Sequence, residues 1–119
     1  MINDEILEKV IDDNDDARNI CLILMLHNYD DDIEELCFFG ITGKRAANLY
    51  YLTKGDPDLL HQSIKFIASE EISLTAIHKR LDSPKPRPLI ERKIRPNETY
   101  SEFFEEQIEK CWTVNKKKR

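Results

Sequence analysis

Glycine is scarce in this chain, with 3 among 119 residues, and none of them builds the spaced loop that cradles phosphate against a helix. No nucleophile elbow is present either, and the abundant carboxylates are expected in solvated caps and on exposed faces rather than in an apolar pocket that would tune them. An enzyme is therefore not expected. The three cysteines, Cys21, Cys37 and Cys111, match no CxxC or zinc-ligand spacing. His27, His61 and His78 form no HExxH or HxH arrangement, so no metal and no cofactor are expected. Each cysteine sits in an apolar run, which predicts buried free thiols. Their odd number and the lack of a secretory leader point to a reducing, cytoplasmic setting. The longest apolar run, 20–26, holds far fewer residues than the about 20 a membrane span needs. No fixed-period repeat is visible.

What is present is helix-forming material. Apolar residues make up 40% and charged residues 34%, a balance that suits one soluble, helix-rich domain, and a chain of this length buries roughly 65% of its unfolded surface. The net charge of −5 is unevenly spread. Residues 1–36 hold 12 acidic and 2 basic side chains, whereas 70–96 hold 7 basic and 4 acidic. The molecule is electrically lopsided.

The chain reads as helix throughout, apart from one arm. Asn3 caps a helix to about Asp12, with Leu7 or Ile6, Val10 and Ile11 inward. The acidic cluster around Asn14 supplies the next cap. Residues 15–28, apolar almost all round at their centre, predict the central buried helix. Asp30 is the expected cap of a third helix, which ends at Gly40. Thr42 is the expected cap of a fourth, which ends near Lys54 and Gly55. Asp56-Pro57 starts a fifth, 57–69, burying Leu60, Ile64 and Ile67. Ser73 caps a short helix over 74–81. From Ser83 the sequence SPKPRPLIERKIRP carries four of the five prolines, an extended connector pinned by Leu89, Ile90 and Ile94. Thr99 to Glu102 is a capping box. The expected architecture is all-α: a compact bundle of about six helices over 1–82, a proline-rich basic connector at 83–98, a C-terminal amphipathic helix at 99–114 and a disordered basic tail at 115–119.

The stretch 33–52, IEELCFFGITGKRAANLYYL, is two amphipathic helices joined at Gly40, a helix-turn-helix in outline. Ala46 and Leu49 face inward, and Lys44, Arg45, Asn48 and Tyr51 form the polar side that would read DNA. Against this stand Asp30, Asp31, Asp32, Glu34 and Glu35 in the preceding helix, which repel phosphate. A second helix-turn-helix candidate, 59–81, lacks a glycine turn. The same region resembles a ubiquitin-associated domain in outline: a first helix with Ile33 and Leu36, the loop Phe39-Gly40-Ile41, a second helix with Ala46, and Gly55-Asp56 before a third. It departs from that family by lacking the Met-Gly-Phe or Met-Gly-Tyr loop, and no ubiquitin site is carried over.

The basic residues Lys79, Arg80, Lys85, Arg87, Arg92, Lys93 and Arg95 follow within one stretch. They suit an acidic protein face. The competing reading is a solvated connector that neutralises the acidic helices of the same molecule. The expected function is that of a small non-enzymatic regulatory or adaptor protein whose partner is a protein bound through this arm. A DNA-binding regulator is the alternative.

Overall fold

Helix α2 (Asp15–Leu26) runs through the middle of the molecule, with every residue from Ala17 to Met25 buried. This computed structural model describes residues 3–69, 89–90 and 92–117, with side chains as far as Cys111. Around α2 stand α1 (Asp4–Ile11), α3 (Asp30–Phe38), α4 (Lys44–Leu52), α5 (Pro57–Ala68) and α6 (Tyr100–Lys117), and α2 touches all five. No strand occurs among the described residues. The expected helix at 74–81, the second half of the 59–81 candidate and most of the proline-rich stretch lie outside the described residues.

The helices begin where local chemistry dictates. Asn3 accepts from the Glu5 N–H, Asn14 from those of Asp16 and Ala17, and Asp56 from those of Asp58 and Leu59. At α6 the Thr99 Oγ1 accepts from the Glu102 N–H at 3.1 Å while Glu102 reaches back to the Thr99 N–H at 3.1 Å. This is the reciprocal capping box expected there. The buried faces of α1 (Leu7, Val10, Ile11), α4 (Ala46, Leu49) and α5 (Leu60, Ile64, Ile67) are also as expected.

Several expectations are corrected. Thr42 does not cap α4. The cap is Gly43, at φ 54 and ψ −119, with no side-chain cap bond, and its N–H donates to the Val10 carbonyl at 2.8 Å. Asp30 lies inside α3, which starts after Tyr29 without a side-chain cap. Helix α6 continues to Lys117 instead of stopping at 114, so part of the supposed tail is helical. Leu89 is exposed, whereas Ile90 is buried and Ile94 packs against the core. Of the three thiols only Cys21 is fully buried, and burial pushes it up to about 12; Cys37 and Cys111 are half-buried. The two helices joined at Gly40 do not pack chiefly on one another. α3 packs chiefly on α1 and α5, and α4 on α2.

Candidate functional site

The segment from Leu89 to Glu98 contains no helix among its described residues, yet buried groups of α2 fasten its first half. Asn19, buried within α2, turns its Oδ1 to the N–H groups of Leu89 and Ile90, at 2.9 and 3.1 Å. Two backbone donors on one atom identify that atom as the amide oxygen. Its Nδ2 donates to the Asp15 carbonyl at 3.3 Å. Next to Asn19 in the chain Arg18, also buried, donates to the Arg92 carbonyl at 3.2 Å and pairs with Asp15 at 3.1 Å. A polar pair inside a helix buried all round must find partners elsewhere, because an unpartnered buried donor costs the whole of its lost hydration.

Arg92 completes the strap. Its guanidinium donates to both carboxylate oxygens of Glu98, at 2.9 and 2.7 Å, and to Glu106 on α6. Both guanidinium carbons lie over the ring of the buried Phe103, Arg92 at 4.7 Å from the centroid and Arg18 at 5.4 Å, a position favoured by the ring quadrupole. Hydrogen bonding from Arg92 is the main cause holding the Glu98 carboxyl down to about 2, and the same guanidinium lowers Glu106. Arg92 is itself raised, first by Glu98.

A carboxyl with a depressed pKa adds stability that is complete above its unfolded value and is lost as pH falls through the folded one. For Glu98 the window runs from 4.5 down to about 2. A carbon-detected NMR titration should find the Glu98 midpoint near the bottom of that window, and Arg92→Ala should return it toward 4.5. A midpoint unchanged by Arg92→Ala would show that the fork is not what holds Glu98.

The seven basic residues expected to contact a partner divide accordingly. Arg92 is committed to the fold. Lys93 and Arg95 are exposed on the strap. Lys79, Arg80, Lys85 and Arg87 lie outside the described residues.

The four residues of the DNA alternative come together. Lys44, Arg45, Asn48 and Tyr51 line one groove of about 670 Å³ with Asn14, Asp16 and Ala47. Lys44 and Arg45 also border an adjoining hollow with Asp12 and Asp13. Tyr51 is half-buried and its hydroxyl donates to Asp16, which pushes it up to about 12. Arg45 donates to the Gly40 carbonyl at 3.2 Å. The polar side of α4 therefore faces carboxylates of its own chain.

One cluster has no counterpart in the sequence reading. Asp32 is not solvated; it is 1% exposed, and its Oδ2 lies 2.6 Å from His61 Nδ1 and its Oδ1 3.4 Å from Lys65 Nζ. Lys65 also meets Glu35 at 2.6 Å, and that hydrogen bond is the first cause of its raised pKa. The Tyr29 ring stacks on His61 at 4.1 Å, and its hydroxyl donates to Asp58 at 3.2 Å. The cluster fastens α3 to α5. The residues at the first turn of α3 and at i, i+4 on α5 carried a signal only in hindsight, since their partners are 29 or more positions away. No group of three or more possible metal ligands occurs among the described residues, and no described helix is long and apolar enough to cross a membrane. No protein-family model, curated protein or solved structure matches the chain.

Proposed function

We propose that this chain is a non-enzymatic regulatory or adaptor protein that acts by binding another protein, with the strap as one contact surface. One observation carries the reading: a segment without helix is fixed by buried Asn19 and Arg18 and by the Arg92 fork, while Leu89, Lys93 and Arg95 remain at the surface. Fixing a segment in advance lowers the ordering cost that a flexible arm would meet on binding. Lys79, Arg80, Lys85 and Arg87 belong to the same proposed contact, and the cytoplasmic setting belongs to the same proposal.

The test is affinity capture from host lysate with and without nuclease, using the wild type and Lys93→Glu/Arg95→Glu. Partner recovery should resist nuclease and be lost in the variant, whose melting temperature should stay nearly unchanged because exposed charges contribute little to folding. Unchanged recovery would remove the strap from the contact.

A DNA-binding regulator is the second reading, favoured by the gathering of Lys44, Arg45, Asn48 and Tyr51 along one groove. Asp12, Asp13 and Asp16 beside them weigh against it, because each opposes phosphate approach. Random duplex DNA at physiological salt should show no measurable binding. Tight binding to a selected duplex, lost in Lys44→Ala/Asn48→Ala and falling with salt at about −0.9 per phosphate contacted, would reverse the order of the two readings.

A further inference from the structure

The outward face of α3 has a composition found on no other described helix. Five of the nine residues of α3 are acidic and none is basic; Asp32 among them is buried, whereas Asp31 and Glu34 are exposed. Lys65 meets Asp32 and Glu35, but among the described residues no cation pairs with Asp31 or Glu34. Both face solvent. Residues three and four apart on a helix share a face, so Asp31, Glu34 and Phe38 form one line. Phe38 ends that line 83% exposed, its ring set edge-on against Phe39 at 5.1 Å. Phe39 in turn packs on the core, so the protruding ring stands on a fixed base.

A lone exposed aromatic is ordinary on a protein surface, and an acidic helix face is ordinary too. Their alignment is what selects a partner. Uncompensated carboxylates attract a basic segment over distance, and a large ring at the end of the same line is the residue type that fills a pocket and dominates an interface. Asp31 to Phe38 spans about 10 Å of helix, so two turns of a partner helix suffice to cover it.

We infer that the Asp31, Glu34 and Phe38 face docks a basic amphipathic helix of a partner protein, with lysine or arginine opposite the two carboxylates and an aliphatic gap around the Phe38 ring. This surface is separate from the strap, so the inference stands or falls independently of the contact proposed above. Together the two surfaces would let one small chain bridge an acidic partner and a basic one.

The probe is a fluorescein-labelled peptide of about 14 residues, roughly four helical turns, built from lysine and leucine at helical spacing. A lysine and serine peptide of equal charge serves as the comparison. Fluorescence anisotropy should show the lysine and leucine peptide binding at least about tenfold more tightly than its comparison, and Phe38→Ala should weaken it about tenfold or more, a difference of about 1.4 kcal/mol. Asp31→Lys/Glu34→Lys should remove binding. Glu105→Lys/Glu109→Lys, which reverses exposed charge on α6, a helix that packs on α1 and α2 rather than on α3, should change it less than about twofold, as expected for a charge outside the contact.

Absence of wild-type binding, indifference to Phe38→Ala, or equal losses from the α6 and α3 charge reversals would each overturn the inference. So would a dimer, seen by sedimentation without peptide and lost in Phe38→Ala, because the face would then be covered by a second copy. Lysate capture of a partner that survives Phe38→Ala alongside failed peptide binding would sink this surface and leave the proposal of a protein partner standing.

Discussion

Replacing Leu24 by alanine is expected to lower the unfolding free energy by about 2–5 kcal/mol, the range for emptying a fully buried leucine site. Leu24 is 0% exposed and lies on the one helix that touches the other five. Collapse around the cavity would have to draw several helices inward together, which close packing resists. Urea unfolding is the measurement, with the midpoint falling and the slope unchanged. Leu59, on the exposed side of α5, provides the contrast: its replacement should stay within about 0.5 kcal/mol. A loss below about 1 kcal/mol at Leu24 would mean that α2 is not the centre of the fold.

The second large effect is expected at Gly43. Its backbone, φ 54 and ψ −119, lies where side chains are poorly accommodated, and an added Cβ would stand 3.1 Å from Asp12 Oδ2 and 3.3 Å from Asp12 Cβ. Gly43→Ala should therefore cost about 1–3 kcal/mol for the backbone alone, with a steric part added. Asp12→Ala in the same chain should recover only the part of the steric cost that comes from the carboxylate, because the Asp12 Cβ, 3.3 Å from the added atom, remains. Gly40, also at positive φ (71), has no atom closer than 3.9 Å to such a Cβ, so Gly40→Ala should cost only about 1–2 kcal/mol. Equal losses at the two glycines in thermal denaturation would show that the Asp12 approach is immaterial.

These two sites also mark what could be read in the sequence. Asn3, Asn14, Asp56 and the Thr99 to Glu102 box were legible because each cap bond closes within three residues and is written in a short window. The 15–28 helix was legible from its unbroken apolar centre. Thr42 misled because a hydroxyl directly before a helical stretch is a common cap, whereas the helix starts one residue later, after Gly43, whose N–H donates to Val10 on another helix. The roles of Arg18 and Asn19 carry no signal in a short window, since the strap groups they hold lie 70 or more positions further along the chain. Asp32 passed as a solvated carboxylate for the same reason, its partner His61 being 29 positions away. The polar residues of α4 were placed correctly on one side because a single helix fixes their direction. What they face, Asp16 and the carboxylates at the end of α1, depends on packing that periodicity does not encode.

The start of α6 is tied back to the first turn of α1, and this bears on the order of assembly. Asp4 Oδ1 accepts from both the N–H and the hydroxyl of Ser101, across 97 positions, and the first turns of α6 bury Phe103 and Phe104 completely. Closing so long a loop loses more chain entropy than any pairing among α1 to α5. Those five helices are complete by Ala68 and leave the ribosome first, with the apolar faces that α6 later covers still wet. Until α6 docks, the surfaces of α1 and α2 that it covers lack that cover, and contacts of this length are the kind that slow folding and expose a chain to aggregation. Docking of α6 ends that exposure and joins the first described helix to the last.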